Sequence, residues 1–549
     1  MGSRSLLQSF SSQCPKIRVV VDAGPATFCI HSLAGSLRYS GSLSEAQYWD
    51  GDRQVSRAAD WSLVEEPGIY QLTIELYAIS EFYEVSETAW HTLGIALLRG
   101  FYFQRASIPL EQPYAAQHIR PAGHADIDIF VHPSAASPSR PAGSKMTAPK
   151  GWYDAGDFNK YIVNSAISVW TLLTLFRMEP QRLADLHCNI PESGGAFPDI
   201  LAEARWNIDW MLCMQDPCDG GVYHKLTNLR FDPFRMPDLC NAERFVVQKT
   251  TAASLDFAAC LAHAFRIYKP YDPEFAEQCL AQARLAYIWA NNNPTVFYVQ
   301  PDDIGTGRYE DEQLGDEFSW AACELFLSTG EDQLCRDAKR FDMDSCDVPN
   351  WQNVATLGQV SLALEKADPQ ACSRIIDLAE ELLLRQTENS YHSCMRGRDY
   401  VWGSNAVIAN QGMILLLAAK LGNDDLRFRT GAAHCMNYLL GTNPLQRSFI
   451  TGFGVNPPRH PHHRISAADG IVEPVPGLLV GGANAGQHDR RSGVRYPTEI
   501  PALSYLDEQE SYASNEIAIN WNAPAAFLAL GLASTLVFPE IQIAIDTSI

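Results

Sequence analysis

The chain has little positive charge. Its 549 residues include 42 lysines and arginines against 64 aspartates and glutamates, a formal net charge of −22. Nucleic acids and anionic membranes bind proteins through basic patches that neutralise phosphates, and so acidic a chain does not favour such a surface. We therefore expect no nucleic-acid partner and no membrane partner, whereas a neutral or cationic substrate is easier to accommodate.

Metal-binding cysteine pairs are also missing. The fourteen cysteines are scattered without a Cys-x-x-Cys pair, and Cys213 and Cys218 are too far apart for a zinc knuckle. Reduced thiols in an apolar core are the simpler interpretation.

Long hydrophobic runs are absent too. Residues 1–10 contain no sustained apolar run followed by a small-residue cleavage site, and no later stretch is expected to span a membrane. Taken as complete, the protein is expected to be cytoplasmic; if a leader was removed, it is expected to be secreted or periplasmic. With 46% hydrophobic residues the chain can bury a large core, and its length predicts two domains.

Residues 16–85 show the pattern of β-strands. Residues 16–21 are apolar and β-branched, and residues 70–76 alternate apolar with polar side chains, which gives a strand one buried and one wet face. Several such runs in a short stretch are typical of a small β-sandwich.

From residue 87 the apolar spacing becomes helical. The predicted helices are 87–105, 160–177, 198–215, 250–267, 273–291, 315–329, 351–366, 370–386, 404–421, 425–440 and 515–535. Periodicity alone predicts a large all-α domain. Residues 106–150 and 465–504 lack this pattern and run into polar motifs, so we interpret them as walls of a cleft.

Two segments place carboxylates among aromatic and amide side chains. Residues 505–523 contain Glu516 ahead of an apolar helix, and residues 152–160 contain Asp154 and Asp157 at a bend of small residues. Hydrolysis of an acetal needs one carboxyl that protonates the leaving oxygen and a second that acts on the anomeric carbon or its water. The two segments therefore predict a sugar-cleaving site, with Glu516 as the acid.

A third segment, residues 448–456, continues into Pro461-His462-His463-Arg464. Together the three segments resemble glycoside hydrolase family 9, the inverting family of many cellulases. Residues 505–523 fit the family's acid-bearing signature, and the third segment fits its histidine-bearing signature. The resemblance covers roughly residues 85–540, with weaker similarity to the immunoglobulin-like module that often precedes the catalytic domain.

This resemblance implies a mainly α fold. Residues 86–549 would form an (α/α)6 barrel, preceded at residues 1–85 by a small immunoglobulin-like β-sandwich. The eleven helices predicted from periodicity are close to the twelve of such a barrel.

The resemblance also implies catalytic roles. Asp157 would be the base that activates water, Asp154 would hold that water in line, and Glu516 would be the acid. In an inverting mechanism the two working carboxyl groups lie about 6.5–9.5 Å apart. Taken alone, the Asp-x-x-Asp pair would be interpreted as a cap of the following helix, but the two distant motifs favour catalysis.

Further residues are candidates for substrate binding. Trp521 occupies a position where the family commonly has a stacking tyrosine. Asp507 is a fixed position of the acid-bearing signature, where a supporting role behind the substrate contacts is expected; the alternative is a loop carboxylate that contributes only to solubility. For Tyr309 and Trp402, burial in the helical core is the competing interpretation. The full set of candidates is His462, Arg464, Trp521, Asp507, Tyr309, Trp402 and His224.

The chemistry requires no cofactor. Relatives with a similar Asp-Ala-Gly-Asp segment carry a structural zinc, with one ligand directly before that segment; Tyr153 stands there, so zinc is not expected. Residues 311–317 resemble the family's calcium loop, with Asp316 and Glu317 as its carboxylate ligands. A solvated acidic helix start is an equal alternative, so calcium binding stays open.

The resulting hypothesis is an inverting β-1,4-glycoside hydrolase acting on β-1,4-glucan chains or oligosaccharides. One alternative is an exo-β-D-glucosaminidase that releases glucosamine from chitosan oligosaccharides; Asp126 and Asp128 would then pair with the ammonium group. A catalytically inactive carbohydrate-binding protein is an alternative of a different class. It is disfavoured because all three candidate catalytic carboxylates are present.

Overall fold

A computed structural model describes residues 7–341 and 345–533. Residues 534 and 535 of the last predicted helix lie outside this part of the chain, as do the outer ends of both predicted domains.

The N-terminal part is a β-sandwich. One sheet has the order β1-β8-β7-β3-β4, in which β1 is parallel to β8 and the other pairs are antiparallel; the other sheet is the antiparallel order β2-β6-β5. Tyr70, Leu72 and Ile74 of β7 point into the core, as their alternation predicted. The strands are β1 Gln8–Phe10, β2 Ile17–Val21, β3 Thr27–Ser32, β4 Leu37–Ser42, β5 Gln47–Trp49, β6 Gln54–Asp60, β7 Gly68–Ile74 and β8 Ile79–Val85.

Twelve helices of nine or more residues follow in the described part of the chain. They are α1 Ala89–Phe103, α2 Ile162–Met178, α3 Asp199–Cys213, α4 Thr251–Tyr268, α5 Pro273–Asn292, α6 Gly315–Thr329, α7 Asp332–Arg340, α8 Ala355–Lys366, α9 Pro369–Gln386, α10 Ser404–Leu421, α11 Leu426–Leu440 and α12 Ile519–Leu532. Short helical turns lie at Pro180–Ala184, Arg464–Ala468 and Tyr512–Asn515.

The twelve helices form two concentric rings. The inner ring is α2, α4, α6, α8, α10 and α12, each in contact with the next, and it closes where α12 packs on α2. The remaining six helices each pack against the inner ring from outside. This is the predicted (α/α)6 barrel. The sequence analysis missed α7 because that helix is short and charged, and only Leu334 and Ala338 of it are buried.

One helix has a property that the sequence analysis did not expect. By length and composition α10 is apolar enough to cross a membrane, contrary to the expectation for later stretches. It lies in the inner ring with most of its residues buried, and a helix that is buried all round is apolar on every face.

A small mixed sheet crosses the loops beside the barrel. Its order is β10-β9-β13-β12-β11. Part of it lies in residues 106–150, which were interpreted as irregular; strands of two or three residues are too short for a periodic signal. The strands are β9 Ile129–Val131, β10 Lys145–Met146, β11 Lys160–Tyr161, β12 Lys225–Thr227 and β13 Phe245–Val246.

Candidate active site

Backbone hydrogen bonds join the predicted aspartate bend to the start of α12. The amide of Ile519 donates to the carbonyl oxygen of Asp154 at 2.8 Å. Ala155 and Ala518 form an antiparallel bridge beside this bond. Because α12 packs on α2 and closes the inner ring, the bend before α2 and the segment before α12 are neighbours.

The histidine-bearing segment lies against both of these segments. The amide of Arg464 donates to the carbonyl oxygen of Gly156 at 3.0 Å, and the amide of His462 donates to that of Asn515 at 2.8 Å. A Cβ atom on Gly156 would lie 1.9 Å from the carbonyl oxygen of His462. The bend therefore needs a glycine at this position, and the three predicted motifs form one site.

Asp154 is buried and held at both carboxylate oxygens. Its Oδ1 accepts a hydrogen bond from the side-chain amide of Asn164, and its Oδ2 accepts one from the Tyr309 hydroxyl, each at 2.9 Å. Burial, followed by the charge of Asp157, raises the pKa of Asp154 to about 7, while the two hydrogen bonds oppose that rise. Both carboxylate oxygens thus have fixed directions.

Asp157 is buried beside Asp154. Its Oδ2 accepts hydrogen bonds from the side-chain amide and the backbone amide of Asn159. Burial raises the pKa of Asp157, whereas the positive charge of Arg464 and the bonds from Asn159 lower it. These donors favour the ionised form that a base needs.

Glu516 experiences stronger opposition to ionisation. Burial, followed by the charge of Asp157, raises its pKa well above the usual range; Asp154 adds to this effect and Arg464 opposes it. The side chain is nevertheless partly exposed to the cleft. A carboxyl group that keeps its proton while facing a substrate can act as a general acid.

Arg464 is held by protein groups at two guanidinium nitrogens, and its substrate binding stays a prediction. It is buried, its Nη1 donates to the Gly156 carbonyl oxygen at 2.9 Å, and its Nε donates to that of Asp232 at 2.7 Å. The guanidinium also lies over the rings of Phe231 and Phe234. Its main contributions are to fix the bend and to place one positive charge near the base and the acid.

His462 belongs to a row of rings and is joined to the Glu516 segment through the backbone. Its Nδ1 lies 2.6 Å from the Gln509 carbonyl oxygen, which can only accept, so the proton sits on Nδ1. Burial lowers the pKa of His462 to about 4, which leaves Nε2 unprotonated at neutral pH. The backbone of His462 is bridged to that of Glu516 in parallel register.

We call this set of rings the aromatic row. Successive ring centroids lie 5.1, 6.0, 5.4 and 5.7 Å apart. Trp402 within it is 43% exposed, so it is a surface ring rather than a core residue. Rings of this kind suit the flat faces of sugars. The members in order are Phe234, His462, Tyr512, Trp402 and His488.

Trp521 lies in the first turn of α12. A Cβ atom on Gly403 would lie 2.8 Å from its Cε2, and one on Gly481 would lie 3.1 Å from its Cζ3, so the indole packs closely on these two glycines. The ring is partly exposed. Sugar stacking by Trp521 stays a prediction.

Tyr309 lies inside the site, against Asp154. Besides its hydrogen bond to that carboxylate, its ring meets Tyr161 and Trp351 edge to face, with centroids 4.8 and 5.1 Å apart. Its backbone φ of 54° lies in the left-handed region, which is unusual for an aromatic residue. The alternative of simple core burial is not what the structure shows.

Asp507 does not bind substrate in this arrangement. Its carboxylate accepts hydrogen bonds from the amides of Arg459 and His460, from the side chain of Asn515, and from Arg447 at 2.8 Å. Burial would raise the pKa of Asp507, but these partners outweigh it and lower the pKa. Its oxygens are occupied, so it braces the residue before the acid instead of contacting sugar.

His224 is likewise unavailable to substrate. Its Nε2 donates to the Arg308 carbonyl oxygen at 2.9 Å, and its Nδ1 lies 3.0 Å from the Thr250 hydroxyl. The ring is buried and stacks on Tyr298. Both ring nitrogens are already used within the protein, so this geometry does not support the predicted substrate contact.

The predicted calcium ligands belong to a set of acidic side chains that we call the acidic cluster: Asp256, Asp311, Asp316 and Glu317. Burial and mutual repulsion raise the pKa of Asp256 and of Glu317 well above their usual ranges. One oxygen each of Asp256, Asp311 and Glu317 is buried without a hydrogen-bond partner in the described part of the chain.

Carboxylate oxygens of this kind suit calcium. Across residues 7–341 and 345–533, however, no three His, Cys, Asp or Glu side chains are arranged as a metal-binding group. Backbone oxygens would have to complete the coordination. Calcium binding therefore stays a prediction, as does the expected absence of zinc. At the zinc position, the Tyr153 hydroxyl lies 2.9 Å from Nδ1 of His124.

The carboxylates suggested for an amino sugar are already paired. Asp126 is buried between Lys160 at 2.8 Å and Arg244 at 2.7 Å. Asp128 is exposed and pairs with Lys145 at 3.2 Å. Asp126 is thus neutralised within the protein and is not available to an ammonium group.

Sequence reasoning missed the amides that hold the aspartates. Asn159 was within the quoted motif but had no assigned role, and Asn164 lies in the first turns of α2, whose other residues are mostly apolar. An asparagine in an otherwise buried helix is a usable signal, because a buried amide requires a partner.

Comparison with known proteins adds independent information. The sequence profile of glycosyl hydrolase family 9 matches residues 92–529. A xyloglucan-specific endo-β-1,4-glucanase of Bacteroides ovatus is 40% identical over 501 residues, which cover 87% of this chain and 84% of that protein. Endoglucanase D of Acetivibrio thermocellus is 31% identical over 531 residues, 94% of this chain and 80% of that protein. A solved structure described as Bacteroides ovatus GH9 has a TM-score of 0.88 at 36% identity, and the match covers 96% of this chain and 98% of that chain.

Proposed function

Because the chain belongs to glycosyl hydrolase family 9 and is a glycoside hydrolase, we propose that it cleaves β-1,4-linked glucan chains or oligosaccharides with inversion at the anomeric carbon. The observation that carries this proposal is the meeting of Asp154, Asp157 and Glu516 on segments joined by backbone hydrogen bonds. Burial raises all three pKa values, and side-chain donors oppose that rise at Asp154 and Asp157, which supports different roles for the aspartates and the glutamate.

In the proposed mechanism Glu516 protonates the leaving oxygen. Asp157 accepts a proton from the water that attacks the opposite face of the sugar ring, and Asp154 orients this water. Asn159 and Arg464 favour the ionised form of Asp157. Burial and the charge of Asp157 raise the pKa of Glu516, which favours the protonated form that an acid needs.

The aromatic row supports a chain-like sugar substrate. Its second member, His462, is bridged to Glu516 through the backbone, so the row would support sugar units beside that residue. The relatives reported above are named for xyloglucan and as an endoglucanase. We therefore propose a β-1,4-glucan backbone as the substrate. The glucosaminidase alternative lacks support from Asp126, which is already paired.

The test is a substrate panel with stereochemical analysis. Purified protein would be incubated with cello-oligosaccharides, xyloglucan oligosaccharides and chitosan oligosaccharides, and the products would be followed by chromatography and proton NMR. We expect hydrolysis of one or both glucans, with the α-anomer appearing first. Hydrolysis of chitosan oligosaccharides alone would contradict the substrate, and an initial β-anomer would contradict inversion.

A further inference from the structure

Strand β12 lies behind the aspartates and contacts a loop, residues 300–309, that ends at Tyr309. Three residues on or next to this strand bind consecutive residues of that loop. The Nε2 of His224 donates to the Arg308 carbonyl oxygen at 2.9 Å. Thr227 shares a hydrogen bond of 2.7 Å with the Thr306 hydroxyl.

Lys225 makes the densest of these contacts. Its ammonium group donates to the Gly307 carbonyl oxygen at 2.5 Å, to the Thr306 hydroxyl at 3.1 Å and to the Gln300 side-chain oxygen at 3.3 Å. The residue is fully buried, and all three acceptors are neutral groups of the loop. A buried ammonium without a bonded carboxylate is costly, and burial lowers the pKa of Lys225 to about 7.

The loop delivers one group to the active site. Two residues beyond Gly307, Tyr309 adopts its left-handed φ of 54° and donates from its hydroxyl to Asp154. A strained backbone of this kind persists only where surrounding contacts hold it. The contacts from His224, Lys225 and Thr227 to residues 306–308 supply that restraint.

We propose that Lys225 is a positioning residue for catalysis, which holds the loop so that Tyr309 fixes the carboxylate of Asp154. This inference rests on the proposed catalytic roles of Asp154 and Asp157. Lys225 also borders the base: its charge interacts with Asp157 and its ammonium lies over the ring of Tyr161. Removing it should disturb turnover more than substrate binding.

The experiment compares Lys225→Met, Tyr309→Phe and the double variant with wild type. For Lys225→Met we expect kcat to fall about 10- to 100-fold, because small misplacements of catalytic groups have effects of this size, with KM changed less than about threefold. The fall should be the same on a natural oligosaccharide and on an aryl glycoside with an activated leaving group, because water attack limits both. The kcat of the double variant should lie within about twofold of the kcat of the slower single variant, because both changes act through one contact.

Lys249→Met is the matched control. Lys249 lies nearby at a bridge to Tyr223 and binds the carboxylates of Asp216 and Asp219. We expect its loss to lower the melting temperature while leaving kcat within about twofold of wild type. If Lys225→Met does not fold, Thr306→Val removes two of the same contacts and is measured in its place.

Two results would overturn the proposal. One is a wild-type kcat for Lys225→Met together with a loss of activity in Asp157→Ala and Glu516→Gln, in which case the proposed function stands and the positioning role fails. The other is a double variant that loses the product of the two single factors, which would mean that Lys225 and Tyr309 act independently. Full activity of Asp157→Ala or Glu516→Gln would instead contradict the proposed function itself.

Discussion

Two groups of carboxylates can be compared: the catalytic set, which is Asp154, Asp157 and Glu516, and the acidic cluster. Their side chains are similar, but their neighbours differ. In both sets, burial and repulsion between neighbouring carboxyl groups raise pKa values. In the catalytic set, side-chain donors from Asn159, Asn164 and Tyr309 hold the two aspartates, and the positive charge of Arg464 lies nearby.

In the acidic cluster three buried oxygens have no partner among the described residues. The comparison shows that crowding of buried carboxylates does not define a catalytic site. What separates a base from an acid is the unequal distribution of donors, which favours the ionised form at one carboxyl group and the protonated form at another.

The largest expected effect comes from removing the acid. Glu516→Gln should lower kcat on natural oligosaccharides about 1,000-fold, because an amide cannot donate the proton, but less than about 10-fold on an aryl glycoside whose leaving group needs none. Glu317→Gln, the equivalent change in the acidic cluster, should leave kcat within about twofold. An equal loss on both substrates for Glu516→Gln would remove its assignment as the acid.

Removing the base should have an effect of similar size but a different pattern. Asp157→Ala should lower kcat about 1,000-fold on both kinds of substrate, because each still requires attack by water. KM should change little, and added azide should restore part of the turnover by replacing the activated water. Strong activity on the aryl glycoside without azide would contradict the role of Asp157.

The acidic cluster should respond to calcium through stability. At a hundredfold excess over its Kd, calcium bound only to the folded state would add about 2.7 kcal/mol, enough to raise the melting temperature by several degrees. Scanning calorimetry with calcium and with EDTA measures this shift. Glu317→Gln should lack it, and Glu516→Gln should keep it. Identical melting curves with calcium and EDTA for the wild type would show that the cluster holds no calcium.

The smallest expected effect is a shift in pH dependence. The charge of Arg464 lowers the pKa of both Asp157 and Glu516, so Arg464→Gln should raise both pKa values. In the pH profile of kcat/KM, the low-pH limb follows ionisation of Asp157 and the high-pH limb follows loss of the proton from Glu516. Both limbs should move to higher pH by about half a unit or more. Arg447→Gln, which removes a charge beside Asp507 instead, should leave both limbs in place. A downward shift for Arg464→Gln would contradict this electrostatic role.

Most of the fold and the centre of the site could be predicted from the sequence. Eleven long helices carry apolar residues at three- and four-residue spacing, and Asp154, Asp157 and Glu516 lie in linear motifs, so both could be predicted from the sequence. The partners of His224 and Asp507 could not be predicted, because the Arg308 carbonyl and the amides of Arg459 and His460 come from loops whose positions no local pattern specifies. The mixed sheet that contains β12 was missed for the same reason: its strands are short and pair across long intervals of sequence.

The closing of the inner ring has a consequence for synthesis of the enzyme. Asp157 lies before α2 and Glu516 before α12, so translation delivers the base early and the acid near the end. By the proposed roles, a nascent or truncated chain that stops before residue 516 would carry Asp154, Asp157 and the histidine-bearing segment but no proton donor, and it would lack α12, which closes the inner ring on α2. Hydrolysis therefore requires the completed barrel, and an incomplete chain would not cleave its substrate.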